Sequence, residues 1–256
     1  MIFLFAQERL DTILNILNKE GKVVVKDLSS KFKVTEDCIR KDLKNLENQN
    51  LIKRTYGGAV PIRESAHNEK IENRININVE SKKIIAQKAF NLINENETIF
   101  LDISTTNILL ADMLAKSNKK ITVITNMIDI VKTFSINNNI KVVCTGGTFS
   151  NELDGFTGSM TIENILKYRV NKAFIGSCGV NIFDKSITTF DVEDGNTKKS
   201  IINIGNHVYL VMENKKFYFD GVYNFANLFN INTIITENTP DESILEVLKE
   251  TNTKIL

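Results

Sequence analysis

Residues 23 to 58 read Val23-Val24-Val25-Lys26-Asp27-Leu28-Ser29-Ser30-Lys31-Phe32-Lys33-Val34-Thr35-Glu36-Asp37-Cys38-Ile39-Arg40-Lys41-Asp42-Leu43-Lys44-Asn45-Leu46-Glu47, then, after a short polar break, Leu51-Ile52-Lys53-Arg54-Thr55-Tyr56-Gly57-Gly58. Leu28 and Phe32 mark one face of a short helix, and Lys33-Val34 mark a tight turn. A second helix is expected from Thr35. It buries Ile39, Leu43 and Leu46 against the first and leaves Asp37, Arg40, Lys41 and Lys44 facing outward. This is the pattern of a helix-turn-helix whose second helix is basic enough to enter a DNA major groove.

The flanks extend the pattern. Residues 7–19 place Leu10, Ile13, Leu14 and Leu17 on one helical face, and Gly21 ends that helix. Leu51 to Tyr56 reads as a strand and Gly57-Gly58 as a turn, which gives the outline of a wing. Thr35 falls at the N-cap of the second helix with Cys38 at its third position. Arg40 is suited to a guanine edge, and Lys41 and Lys44 to phosphates. Lys53, Arg54 and Tyr56 on the wing are candidates for backbone or minor-groove contact. Asp37 and Asp42 repel phosphate, so they are expected to orient Arg40 or Lys41, or to cap locally. The DNA-binding candidates are thus Thr35, Asp37, Arg40, Lys41, Lys44, Lys53, Arg54 and Tyr56.

The chain has 256 residues, 42 % of them hydrophobic, with only 2 Pro. That is enough for one large domain, or for a small one plus a medium one, with a real core. The formal charge is +1, but residues 1–60 hold 11 Lys and Arg against 8 Asp and Glu, while the rest hold 21 against 23. The positive end is the end with the helix-turn-helix. Cys38, Cys144 and Cys178 are too few and too scattered for a disulfide framework or a zinc site, and His67 and His207 stand alone. No metal and no cofactor is expected. Met1 to Phe5 is apolar but too short for a signal peptide or a membrane span, and is expected to pack beside the first helix. The chain is expected in the cytoplasm. It contains no Gly-x-x-x-x-Gly-Lys or Gly-x-Gly-x-x-Gly loop, which sets a nucleotide switch aside.

Three segments are expected: a winged helix-turn-helix over residues 1–58, a polar linker over 59–80, and an α/β domain over 81–256. A helix from Lys82 carries Ile85, Ala86, Ala89, Leu92 and Ile93. Strands are then expected near Thr98–Asp102, Ile121–Thr125, Lys141–Thr145, Lys172–Gly176, Val208–Met212 and Thr233–Thr236, alternating with helices. Such alternation predicts a largely parallel sheet covered on both faces. Its ligands bind beyond the carboxyl ends of the strands.

Ile39-Arg40-Lys41-Asp42-Leu43 and Arg54-Thr55-Tyr56-Gly57-Gly58-Ala59 resemble the signature of DeoR-family bacterial regulators of the glycerol-3-phosphate repressor type. Cys38 and Lys41 replace the Thr and second Arg usual there. The resemblance continues through Arg74, Lys82, Ile85-Ala86, Leu101-Asp102-Ile103-Ser104-Thr105-Thr106, Thr125-Asn126, Gly146-Gly147, Lys172-Ala173-Phe174-Ile175-Gly176 and Lys216-Phe217. It implies a C-terminal sensor domain similar in fold to ribose-5-phosphate isomerase that binds a phosphorylated sugar or derivative. Ser177-Cys178-Gly179 departs from the family by lacking an acid, and Glu213 and Glu237 stand in for its Asp residues.

The effector-binding candidates follow from chemistry and resemblance together. Asp102, Ser104, Thr105 and Thr106 lie between a strand and a helix start, where free N–H groups and hydroxyls suit a phosphate. Thr125 and Asn126 end the next strand, where Asn126 suits sugar hydroxyls. Gly146 and Gly147 end the third and permit close approach. Lys216 supplies a cation. Asp191, Glu193 and Lys198 are placed for the sugar or a neighbouring subunit. The expected partners are double-stranded operator DNA and the sugar phosphate, with no membrane, and a homodimer or homotetramer, since one reading helix touches few bases. The alternative is a sugar-phosphate isomerase with an appended module. It is disfavoured because the loop Ser177-Cys178-Gly179-Val180-Asn181 holds no carboxylate base, which leaves Glu193 as the candidate.

Overall fold

The computed structural model describes residues 6–65, 70–135 and 139–256. The apolar lead-in Met1 to Phe5, and His67, lie outside the described residues. The chain divides into two compact units between Glu64 and Ser65.

The first unit is built from three helices and a small sheet. Helix α1 (Ala6–Glu20) ends at Gly21, whose φ of 72° lies in the left-handed region and whose N–H donates to the Leu17 carbonyl at 2.8 Å. Strand β1 (Val23–Val24) leads into α2 (Val25–Phe32), and α3 (Glu36–Asn48) follows. The turn between α2 and α3 falls where the sequence places it. Lys33 adopts a left-handed φ of 55°, and the Ser29 hydroxyl donates to the Val34 carbonyl at 2.6 Å. Thr35 caps α3 by accepting the Cys38 N–H at 3.3 Å. Leu10, Ile13, Leu17, Leu28, Ile39, Leu43, Leu46 and Ile52 form the core.

The wing is a hairpin of β2 (Ile52–Thr55) and β3 (Gly58–Pro61), and β1 pairs with the outer side of β3. Residues 59–61, read in the sequence as the start of the linker, are therefore the returning strand. Their small and apolar side chains carry no alternation strong enough to announce it. Gly57 turns the hairpin at φ 84°. Gly58 is a matter of space, since a Cβ there meets the Val23 carbonyl oxygen at 1.9 Å.

Asp42 corrects an expectation. It neither orients Arg40 nor caps α3. It lies on the buried stripe with Ile39 and Leu46, three and four residues away, and accepts two bonds from Arg9 of α1, from Nε at 2.6 Å and Nη2 at 3.1 Å. The two side chains are each 11 % exposed. A bidentate pair this enclosed fixes the angle between α1 and α3, because its planar fork tolerates little rotation.

The second unit begins at Ser65, the last residue of β4 (Glu64–Ser65), and continues with α4 (Ile71–Ile75) and α5 (Val79–Asn91), so α4 and the first residues of α5 fall within the stretch expected as linker. Then come β5 (Thr98–Leu101), α6 (Thr105–Ala115), β6 (Ile121–Thr125), α7 (Ile128–Thr133), β7 (Ile140–Cys144), β8 (Thr148–Ser150), β9 (Gly155–Thr157), α8 (Ser159–Ile165) and β10 (Val170–Ile175). After β11 (Gly179–Val180), β12 (Ser186–Thr189) and α9 (Val192–Ile204) the chain continues as β13 (Gly205–Val211), a 3-10 turn (Asn214–Tyr218), β14 (Phe219–Asp220) and β15 (Tyr223–Asn227). It closes with β16 (Thr233–Ile235), α10 (Glu242–Glu250) and β17 (Lys254–Ile255).

The main sheet has the order β17-β16-β13-β10-β5-β6-β7, and every pair is parallel. Its strands are apolar on both faces, as a doubly covered sheet requires. In β5, Phe100 joins the core cluster that includes Ile201 and Ile204 of α9, while Ile99 and Leu101 join the one that includes Ile85 of α5 and Leu110 of α6. Two antiparallel additions were not foreseen: the hairpin β8-β9 and the sheet β11-β12-β15. Their strands are short and carry Thr, Ser and Asn, so periodicity does not distinguish them from loops.

Breaking the Arg9–Asp42 pair leaves a nearly buried guanidinium without its acceptor. Asp42→Ala should destabilise the first unit by roughly 2–4 kcal/mol. Amide hydrogen exchange at Ile39, Leu43 and Leu46 reads this directly, and unchanged protection there counts against the role given to the pair.

Candidate functional site

Two surfaces carry the candidate chemistry, one in each unit. In the first, Asp37, Arg40, Lys41 and Lys44 are exposed along α3, as their spacing predicts, with Thr35 at its cap. Lys53 and Arg54 are exposed on β2 and Tyr56 is fully exposed at the wing tip. Two of these cations are not free. Arg40 donates from Nη1 to Asp37 at 2.8 Å and from Nη2 to Glu36 at 2.6 Å. Arg54 donates its backbone N–H to Glu47 at 2.9 Å, with its guanidinium 3.8 Å from the same carboxylate. The expectation that Asp37 orients Arg40 matches this geometry. Glu36, the second half of that clamp, was passed over, although its spacing of four residues from Arg40 is a legible helical pair.

In the second unit a cavity of about 180 Å³ opens at the carboxyl ends of β5, β10 and β13. This is where a parallel sheet with covered faces leaves room. Its lining includes Ser104, Thr105 and Thr106 from the start of α6, Gly176 to Cys178 after β10, and Met212, Glu213, Lys215 and Lys216 after β13. Arg74 of α4, Lys82 of α5 and Lys198 of α9 complete it, with the acids Glu152, Asp191 and Asp194. Ser104 caps α6, accepting the Thr106 N–H at 3.2 Å. The positive end of that helix therefore faces the same space as the cations.

The cations crowd one another. Lys82 is nearly buried and donates to the Arg74 carbonyl at 2.5 Å. Burial lowers its pKa to about 8, helped by Lys216, Arg74 and Lys215 and opposed by Glu213. Lys216 is half-buried, donates to the Ser177 carbonyl, and is lowered for the same chief reason. The Arg74 Nε is buried and has no partner. Positive groups held together at such cost are stabilised by an anion placed among them.

A buried ionic cluster underlies the cavity, and two of its members, Lys198 and Asp194, also line it. Lys198 is bonded to Asp102 and lies 3.2 Å from Asp194, and the three side chains are 4 %, 0 % and 4 % exposed. Asp102 also accepts the Gly176 N–H at 3.1 Å, and Asp194 accepts from the Thr189 hydroxyl at 2.6 Å. Burial pushes Asp102 up to about 6, with Asp194 adding to the rise and Lys198 opposing it. Lys198 is held charged by the two carboxylates, which outweigh its own burial.

Of the candidates read from the sequence, Ser104, Thr105, Thr106 and Lys216 line the cavity together, with Asp191 and Lys198. Asp102 sits one layer behind, gripping Lys198. Thr125, Asn126, Gly146 and Gly147 are not among the lining residues. The Thr125 hydroxyl donates to the Leu101 carbonyl at 2.7 Å, and Asn126 Nδ2 to the Phe156 carbonyl at 3.0 Å. The Gly146 carbonyl accepts from the Thr161 hydroxyl at 2.8 Å, and a Cβ at Gly147 meets that hydroxyl at 1.9 Å. Their shared location at strand ends, rather than direct access to the cavity, is what the sequence conveyed. Glu193 is exposed and outside the lining. Asp194 was missed, although it stands four residues before Lys198 on α9.

Among the described residues no group of His, Cys, Asp and Glu is arranged to hold a metal, and no helix is long and apolar enough to cross a membrane. Residues 9–65 match the family model of the DeoR-like helix-turn-helix domain, and residues 77–238 that of the DeoR C terminal sensor domain. The chain is 28% identical over 243 residues to the glycerol-3-phosphate regulon repressor of Escherichia coli (strain K12), covering 95% of each. It is 30% identical over 255 residues to the HTH-type transcriptional repressor GlcR of Bacillus subtilis (strain 168), covering 99% of this chain and 96% of that one. A partial structural likeness links it to ribose 5 phosphate isomerase A from Neisseria gonorrhoeae, with TM-score 0.39, 18% identity, and 55% and 53% of the two chains covered.

The raised Asp102 value means that the folded protein keeps a proton that the unfolded chain, with its ordinary value of 3.8, has already released. That contribution to stability is complete below the ordinary carboxylate range and is lost as pH rises through about 6. The unfolding free energy of the unsubstituted protein minus that of Asp102→Asn should therefore fall across this window and flatten above it. Denaturant titrations at stepped pH measure the difference, and a flat difference contradicts the assignment.

Proposed function

The chain belongs to the DeoR family of transcriptional regulators, and from that premise we propose a repressor of sugar-metabolism genes that releases or engages its operator in response to a phosphorylated sugar or related metabolite. The observation that carries the metabolite half is the cavity. Lys82, Lys216, Arg74 and Lys198 converge with the start of α6 on one small space at the sheet's carboxyl edge. A phosphate satisfies that set, with Ser104, Thr105 and Thr106 as hydroxyl donors and Asp191 and Asp194 available to sugar hydroxyls. Asp102 acts from behind by fixing Lys198. We assign Thr125, Asn126, Gly146 and Gly147 to shaping the loops beside the cavity.

The DNA half rests on α3 and the wing. Arg40 reads a base edge, with Asp37 positioning it. Lys41 and Lys44 take phosphates, and Lys53, Arg54 and Tyr56 follow the backbone beside the groove. Thr35 holds the start of α3 in place. Two copies are needed to span an operator of useful specificity, so a homodimer or homotetramer acts in the cytoplasm. The E. coli relative named above is a repressor of a glycerol-3-phosphate regulon, which supports a small phosphorylated polyol or sugar as effector. Regulation requires only that the ligand prefer one of two forms, by about 1–3 kcal/mol of coupling. The isomerase alternative is not favoured. The loop after β10, residues 177–181, holds no carboxylate, and the relatives are named as regulators.

A gel shift on DNA upstream of the protein's own gene, repeated with a panel of sugar phosphates, tests the whole reading. A mobility shift that no sugar phosphate alters removes the metabolite half.

Arg40→Ala should weaken binding to the shifted fragment by roughly 1–3 kcal/mol while leaving the melting curve in place. Anisotropy titration measures it, and equal affinities for the two proteins remove Arg40 from the interface.

The lowered Lys82 value gives a second test that uses inorganic sulfate, whose charge is fixed over the range. Sulfate binding by calorimetry should weaken as pH rises through about 8, because the folded Lys82 loses its charge there. Lys82→Gln should bind more weakly and without that inflection. A pH-independent affinity in the unsubstituted protein places the anion elsewhere.

A further inference from the structure

Arg40 is the residue best suited to read a base, and its guanidinium is already engaged by two acids. Both donor arms, Nη1 and Nη2, are bonded to carboxylates of the preceding turn of the same helix. Glu36 is 46 % exposed, Asp37 83 % and Arg40 53 %, so the cluster stands on the outer face of α3 rather than in the core. Its local balance is two negative charges to one positive, at the end of the helix that would enter the groove first.

We propose that Glu36, Asp37 and Arg40 form a self-compensated reading unit that accepts a G·C base pair and rejects bare phosphate, which makes Glu36 and Asp37 specificity-determining residues of the operator interface. The inference rests on α3 being the reading helix, as proposed above.

The argument turns on what each partner offers. A phosphate oxygen is an acceptor only. The guanidinium keeps further N–H donors beside the two it gives to the acids, but a phosphate that takes them sets its own negative charge against both carboxylates. A guanine edge presents two neutral acceptors, O6 and N7, which take those donors while the acids stay in place. The cytosine paired to that guanine presents its N4 amino group, a donor suited to one of the two carboxylates. A G·C pair can therefore meet both signs of the cluster, whereas phosphate meets the cation and is repelled by the acids. Lys41 and Lys44, on the same exposed face, remain available to phosphates. The acids thus withhold one cation from sequence-independent binding without lowering the charge of the rest of the helix.

Phosphate contacts made by a protein are counted by the salt dependence of its binding, with a slope of about −0.9 per phosphate neutralised on duplex DNA. This gives a readout specific to Arg40. The full chain, its Glu36→Gln/Asp37→Asn variant, Arg40→Ala and the triple variant are titrated by anisotropy. The probes are a labelled duplex of arbitrary sequence and the fragment upstream of the protein's own gene, across a potassium chloride series. Circular dichroism first establishes equal helix content.

The double variant should bind the arbitrary duplex roughly three- to tenfold tighter, with a slope steeper by about 0.9, because Arg40 is released to a phosphate. Its preference for the upstream fragment should shrink. In the Arg40→Ala background the same two substitutions should leave the slope unchanged. An unaltered slope in the double variant overturns the proposal. So does an equal gain in the Arg40→Ala background, which makes the acids a general repulsion and nothing more. If the unsubstituted protein binds neither duplex, the reading-helix assignment itself fails, and this proposal with it.

Discussion

Lys198 is a lysine almost without solvent, held between Asp102 at the end of β5 and Asp194 on α9. An uncompensated charge in that position would cost several kcal/mol, and removing either partner strands the others. Because Asp102 also takes the Gly176 N–H, the cluster ties the first residue after β5 to the first residue after β10 and to a helix on the far side of both. Asn107 adds a second stitch at the same level, donating to the Asp102 and Phe174 carbonyls at 2.9 Å each. The loops that line the cavity start from these points. Their spacing is therefore set by buried polar bonds, and the apolar sheet beneath supplies the platform.

The same economy of charge recurs at the other end of the chain in a different form. Arg9 is enclosed and bonded twice to Asp42, and Arg40 is exposed and bonded to two acids. The first pair orders α3 relative to α1, and the second conditions what α3 presents. A net charge near zero for the whole chain thus conceals cations that have been given separate tasks by their neighbours. Counting Lys and Arg along the reading helix would assign them one task only.

Much of this was legible in the residues. The alternation of apolar runs and helical stripes located all six of the expected parallel strands, since strands buried on both faces are continuous apolar runs. The turn at Lys33, the Thr35 cap and the outward Arg40, Lys41 and Lys44 follow from spacing alone. What spacing does not carry is partnership across the fold. Asp42 looks like an exposed acid next to Lys41 until α1 supplies Arg9, thirty-three residues away. Asn126 looks like a ligand-facing amide until Phe156 supplies its acceptor. β1 and β17 have two residues each and were silent because a pattern of period two needs more than two positions. Cavity residues Arg74 and Lys82 entered only through family resemblance, because isolated cations in a polar stretch look like any solvated surface.

The bond from Lys82 to the Arg74 carbonyl has a further consequence for how occupancy is felt. It joins α5 to the last turn of α4, so both helices share in the mutual repulsion of the cations that line the cavity. The floor is stitched by Asn107 and Lys198. Under the function proposed above, an anion that relieves this repulsion would act on the α4–α5 wall. In chain order that wall is the first helical part of the second unit, ahead of the whole parallel sheet.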